Sequence, residues 1–155
     1  MTKKKILIAT GGTGGHIFPA LSLAKNLIKK NYDIILTTDK RGLKYLSDIN
    51  EINLKKITSS PLVKKNIFRL IYSALLICYS TVKSLFLLSL NRPHIIIGMG
   101  GYSSFPVCIA ATILRIKFTI YENNLIIGKA NKYLLYFAEK IFVSHKDLEG
   151  IKEKN

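Results

Sequence analysis

The seven residues Thr10-Gly11-Gly12-Thr13-Gly14-Gly15-His16 are the part of this chain best suited to chemistry. They follow the short apolar run Ile6-Leu7-Ile8-Ala9 and precede a helix predicted to begin near Phe18-Pro19. Glycines let a backbone approach a ligand closely, and free N–H groups at a helix start point at an anion. Thr13 adds a hydroxyl suited to a phosphate, to a sugar, or to a helix cap. His16 falls at the helix start, within the glycine loop. A neutral ring there can accept a proton from an alcohol as a general base. A lone histidine is usually structural; its place inside an anion loop makes this one a catalytic candidate. His94 and His145 have no such context.

A second glycine-rich run, Gly98-Met99-Gly100-Gly101-Tyr102-Ser103-Ser104, follows the apolar run His94-Ile95-Ile96-Ile97. Two such loops on parallel strands open on one edge of a sheet. A third group, Glu122-Asn123-Asn124, closes another predicted strand before a glycine-bearing turn. Glu122 is a candidate to orient a sugar hydroxyl or the base. Helix capping by Asn123 or Asn124 is the plain alternative. The opening loop is not a nucleotide P-loop, because His16 and Ile17 follow Gly15 where Lys and Ser or Thr are needed. A dinucleotide fingerprint fits Gly12 and Gly14 but meets Ile17 in the third glycine place. Asp39, ending the next strand, keeps that reading open as a possible ribose-binding acid. No residue spacing suits a metal, and no cofactor is expected.

These loops need a scaffold, and the chain alternates strand and helix. Strands are predicted at Ile6–Ala9, Asp33–Thr38, Ile52–Ile57, Ile95–Met99, Phe118–Glu122 and Lys140–Val143. Helices are predicted over Phe18–Lys30, with Pro19 in its first turn and Asn31 as its stop, and over Arg41–Ile49, Ile67–Asn91, Pro106–Leu114 and Gly128–Phe137. Thr58 to Asn66 reads as a loop, and Ser144 to Asn155 as the start of another helix. Such alternation predicts an α/β, Rossmann-like parallel sheet with helices on both faces and ligands at the strands' carboxyl ends.

At 155 residues the chain is read as one domain. Its net charge of +15 admits nucleic acid, an anionic membrane surface or an acidic substrate as partner. Biased coding toward Lys, Ile and Asn explains it equally well. No RNA-binding motif or zinc-finger spacing is present, so nucleic acid is set aside. Cys78 and Cys108 are expected to be buried free thiols in a reducing compartment. Lys3-Lys4-Lys5 resembles the start of an export signal, but the apolar run after it is too short for one. The stretch Ile67–Asn91 has almost no polar face and enough length to cross a bilayer, which takes about 20 apolar residues. Lys83 would then lie inside, so an interfacial helix is the better fit, ahead of a plain core helix. Lys55, Lys56, Lys64 and Lys65 would draw it to anionic lipid.

Taken together, the motifs resemble the MurG family, the N-acetylglucosaminyltransferases that convert lipid I to lipid II in peptidoglycan synthesis. Gly11 to Ala20 matches the family's opening block, Gly98 to Ser103 its second glycine loop, and Glu122-Asn123-Asn124 with Gly128 and Asn131-Lys132 its third. The resemblance implies the N-terminal, acceptor-binding half of a two-domain GT-B glycosyltransferase, peripheral on the cytoplasmic face of the bacterial plasma membrane. It implies that Thr13, Gly14, Gly15 and Asn124 touch the UDP-N-acetylglucosamine donor from across a cleft. His16 is implied as catalytic base, and Glu122, the second catalytic candidate, is implied to line the acceptor side. Gly11, Gly12, Gly100, Gly101, Tyr102 and Ser103 are implied to hold the lipid I acceptor and its diphosphate. Tyr121 and Leu125 depart from the family, which usually has histidine and glycine there. A C-terminal donor-binding domain, or a partner chain supplying one, is expected to be needed for turnover. Two rival readings are a non-catalytic membrane-recruitment subunit of a split glycosyltransferase and a dinucleotide-binding oxidoreductase domain.

Overall fold

The computed structural model describes residues 3–46, 52–58, 66–145 and 149. Within them lies one wholly parallel sheet of β1 (Lys5–Ala9), β2 (Asp33–Thr38), β3 (Asn53–Lys56), β4 (Ile95–Gly98), β5 (Phe118–Glu122) and β6 (Lys140–Val143). The spatial order is β3-β2-β1-β4-β5-β6. The chain builds outward from β1 to β3, then returns to lay β4 on the other side of β1. That reversal puts the switch point between β1 and β4, and both glycine loops leave those two strands.

The helices are α1 (Gly14–Lys29), α2 (Lys40–Leu43), α3 (Ile67–Asn91), α4 (Ser104–Ile113) and α5 (Lys129–Leu134). Alternate residues of β1 feed opposite cores, as the two-residue strand repeat requires. Ile6 and Ile8 meet Ile17, Ala20 and Ala24 of α1. Leu7 and Ala9 meet Leu88 of α3, Val107 and Ala111 of α4 and Leu134 of α5. Both faces of β1 are therefore covered, which explains its unbroken apolar run.

Several boundaries differ from the sequence reading. Helix α1 starts at Gly14, not near Phe18, so Pro19 is its sixth residue and not in its first turn. Glycine is a poor helix former, and its place in a loop motif hides the true start. Helix α4 likewise begins at Ser104, ahead of Pro106, and α5 stops at Leu134, short of Phe137. Helix α2 covers only the first part of Arg41–Ile49. Residues 47–49 of that range lie outside the described residues, as do Lys64, Lys65 and most of the Thr58–Asn66 and Ser144–Asn155 segments. Asn31 does end α1, in the left-handed region at φ 66°.

Helix α3 has the predicted bounds but an unexpected orientation. It does have a polar face, and that face is buried: Ser73, Ser80 and Ser84 point inward with Leu88. Ser84 donates to the Ser80 carbonyl at 2.7 Å, and Ser80 to the Thr58 carbonyl beyond β3. Phe68, Tyr72, Leu75, Tyr79, Val82, Phe86 and Leu90 point outward, Phe86 at 68% and Leu90 at 84% exposure. Arg69 and Lys83 are exposed beside them. Cys78 shares the outward side and is exposed, contrary to the expectation of two buried thiols; Cys108 is buried. Arg92 ends the helix in the left-handed region at φ 42°, just before Pro93.

Candidate active site

The two glycine loops interlock. The Ser103 hydroxyl donates to the Thr10 carbonyl at 2.7 Å, across 93 residues of sequence. Gly101 lies against the backbone of Gly11, in contact with its carbonyl, and a Cβ there would overlap it. Gly12, Gly100 and Gly101 have φ of 88°, 84° and 79°, a region open to glycine and costly for other residues. The loops thus meet as one unit at the carboxyl ends of β1 and β4, beside the amino ends of α1 and α4.

His16 sits in the first turn of α1 and lies over Gly100. A Cβ on Gly100 would be 2.9 Å from its Cε1 and Nδ1. Nδ1 is buried and has no hydrogen-bond partner. Chemistry at this ring therefore belongs to Nε2. Thr13 precedes α1 but its side chain makes no capping bond, which leaves the hydroxyl available. The amides of Thr13, Gly14 and Gly15, and those of residues 100–103, donate to no acceptor among the described residues. Seven N–H groups and one imidazole thus belong to one junction. Tyr102 is exposed on the second loop.

Some predicted ligand contacts are otherwise engaged. The Gly12 amide donates to Asp39 Oδ1 at 3.2 Å, and Gly11 is buried against Ser103, so both shape the loop from within. Ser103 is buried and its hydroxyl is taken by Thr10, so it braces the loops and does not face a ligand. Glu122 is the clearest correction. It is 1% exposed, and both carboxylate oxygens are occupied. Oε1 accepts from the Asn124 amide at 3.1 Å and its side chain at 2.7 Å. Oε2 accepts from the Gly128 amide at 2.9 Å and Asn131 Nδ2 at 3.0 Å. Burial alone would raise the pKa, but these bonds outweigh it and hold the carboxyl below its ordinary value. Such a group orders residues 122–131, with both oxygens committed to that turn. Asn124, exposed at the sheet edge, is held by it; Asn123 and Asn124 cap no helix, since Gly128 precedes α5. Tyr121, in the family's histidine place, shares its hydroxyl with Ser144 Oγ at 2.6 Å and Asn123 Oδ1 at 3.2 Å.

Arg41 is the neighbour that sequence reasoning did not place at the site, and Asp39 entered there only as a ribose-binding acid. Asp39 is 4% exposed and accepts from the amides of Gly12 and Gly42 and from Arg41. A carboxylate so engaged is not free to bind a ribose, and Ile17 is fully buried in the core. Both observations argue against a dinucleotide fingerprint. Their only sequence signal was an acidic residue at a strand end followed by a basic one. A cavity of about 500 Å³ bounded by Lys3, Lys5, Tyr32 and Asp33 lies at the amino ends of the strands, opposite the loops.

Strand order, glycine loops at the switch point and two helix starts facing one edge define a class, a Rossmann-like doubly wound domain with its ligand edge at the switch point, and the comparisons narrow it to the N-terminal half of a GT-B glycosyltransferase fold. The chain belongs to glycosyltransferase family 28, whose N-terminal domain matches residues 6–143. It is 38% identical over 154 residues to the UDP-N-acetylglucosamine--N-acetylmuramyl-(pentapeptide) pyrophosphoryl-undecaprenol N-acetylglucosamine transferase of Pelagibacter ubique, covering 98% of this chain and 42% of that protein. The enzyme of the same name from Wolbachia sp. subsp. Brugia malayi is 40% identical over 149 residues, covering 95% and 40%. The crystal structure of Acinetobacter baumannii MurG superposes with a TM-score of 0.82 at 25% identity, covering 97% of this chain and 44% of that one. A UDP-N-acetylglucosamine 2-epimerase shares the fold at a TM-score of 0.68 and 15% identity, covering 95% and 43%. The chain spans about two-fifths of the length of the curated relatives it matches.

Proposed function

We propose that this chain is the acceptor-side half of an inverting UDP-N-acetylglucosamine-dependent transferase acting on lipid I, the undecaprenyl-diphosphate-linked muramoyl-pentapeptide. The observation that carries the reading is His16 stacked on Gly100, which puts one imidazole where two sets of unpaired amides meet. The amides of residues 100–103 bind the acceptor's diphosphate, with Gly100, Gly101 and Tyr102 lining that side. His16 Nε2 takes the proton of the acceptor sugar's 4-hydroxyl. The oxygen attacks the anomeric carbon of the donor, the bond to UDP breaks, and UDP leaves with the electron pair, inverting the centre. Thr13, Gly14, Gly15 and Asn124 meet the donor across the cleft. A second, donor-binding domain, in the same polypeptide or a partner, supplies the uridine and most diphosphate contacts. The outward face of α3, with exposed Lys55 and Lys56 nearby in sequence, rests on anionic lipid at the cytoplasmic face of the plasma membrane.

The test supplies the missing length, taken from a relative's C-terminal part, and measures transfer of labelled N-acetylglucosamine to a lipid I analogue. Transfer is expected, and His16→Ala is expected to abolish it. The exposed apolar stripe of α3 also favours a second reading, a non-catalytic membrane-recruitment subunit. On that reading the complemented chain binds vesicles, and His16→Ala changes nothing.

A further inference from the structure

Arg41 differs from the other basic residues of the chain in how it is held. Its Nε and Nη2 both donate to Asp39 Oδ2, at 3.1 and 2.8 Å. The other oxygen of that carboxylate accepts from the Gly12 and Gly42 amides, at 3.2 and 2.9 Å. One buried carboxylate therefore ties the first glycine loop, α2 and the guanidinium together. The Arg41 side chain is 55% exposed while that of Asp39 is 6% exposed. Nη2 lies 3.7 Å from the point where a Cβ on Gly12 would stand.

A guanidinium has five N–H donors, and Asp39 uses two of them. The Nη1–Nη2 edge keeps its outward N–H groups, a fork matched to two oxygens of a phosphate. The negative charge of Asp39 beside an anion site would repel a diphosphate, and Arg41 neutralises it. Asp39 is buried, so Arg41 also compensates its charge within the fold, and the outward edge of the guanidinium is left for a ligand. We propose that Arg41 is a further binding residue of this site, gripping a phosphate of a diphosphate ester at the outer rim of the first glycine loop, with Asp39 as its positioning residue. The inference rests on the diphosphate cradle proposed above.

The experiment titrates the 155-residue chain with inorganic pyrophosphate by calorimetry at low ionic strength, with melting curves for each variant. Arg41→Met is expected to weaken binding about tenfold, which corresponds to about 1.4 kcal/mol. Arg41→Lys keeps the charge but loses the fork, and should weaken binding by a smaller factor. Lys29→Met, an exposed charge at the far end of α1, should leave binding unchanged. Asp39→Asn keeps an acceptor for Gly12 and Gly42; it should move the Arg41 Nε–H resonance and weaken pyrophosphate, although it removes a repelling charge. If Arg41→Met does not fold, Arg41→Lys carries the test. Wild-type affinity in Arg41→Met, or an equal loss in Lys29→Met, overturns the role of Arg41 while leaving the cradle intact. Tighter binding in Asp39→Asn overturns the positioning role. Failure of the wild type to bind pyrophosphate overturns the cradle itself and this inference with it.

Discussion

Replacing Glu122 by glutamine isolates the four hydrogen bonds that order the chain between β5 and α5. Glutamine has the same shape but only one acceptor oxygen. Whichever way the amide turns, its NH2 group faces two donors, either the pair from Asn124 or the pair from Gly128 and Asn131. Hydrogen bonds to a charged group contribute about 1.5–3 kcal/mol each, so losing two, with some relief from water, costs about 3 kcal/mol. For a domain of this size that lowers the melting temperature by roughly 6–12 °C. Acid distinguishes this cause from general damage. Glu122 titrates below its ordinary value of 4.5 in the folded chain, so its stabilisation is complete above that value and disappears as pH falls through the lower folded one. Protonated Glu122 then resembles glutamine. Melting curves by circular dichroism at pH 7 should show a wide gap between wild type and variant, and the gap should narrow as pH falls below 4.5 toward pH 3. A gap of the same width at both pH values would refute the reasoning.

Three other outcomes follow from the geometry. Gly100→Ala, at φ 84° and with its Cβ 2.9 Å from the His16 ring, should cost about 1–2 kcal/mol and displace the imidazole; an unchanged His16 Cε1–H resonance would contradict the contact. Phe68→Glu with Phe86→Glu should reduce sedimentation with anionic vesicles at least tenfold while the melting temperature stays put, since both side chains point away from the core. A thiol reagent at pH 8 should label exposed Cys78 in the folded chain, whereas Cys108, fully buried and with its thiol pushed up to about 12, should react only on unfolding.

The sheet was legible in the sequence because its strands are short apolar runs between clear stops. The bounds of β2, β5, β6 and α3 match those read from the residues alone. The switch-point placement of both glycine loops followed from the alternation of elements. Contacts across the chain were not legible. Nothing local distinguishes Ser103 as the group that bonds Thr10, or Asp39 as the acceptor for Gly12, because those pairs meet only once β1, β2 and β4 lie side by side. Glu122 carried the right signal for a functional carboxylate, a charge at a strand's end. Its burial depends on a turn that folds Gly128 and Asn131 back over it. Helix α3 differs in one respect: the sequence reading gave it almost no polar face, whereas its buried row is Ser73, Ser80 and Ser84 with Leu88, and scattered serines in an apolar run give no local sign that they share one face.

That inverted helix separates two kinds of information. Among the described residues the outward row makes no core contact, so aspartate, lysine or glutamine can replace its aromatic residues without disturbing this core. The serine row admits no such freedom. It lets α3 lie close to α4, and a leucine at Ser80 or Ser84 would have to push the neighbouring helix aside. Engineers can therefore vary that outward face independently of the row that packs.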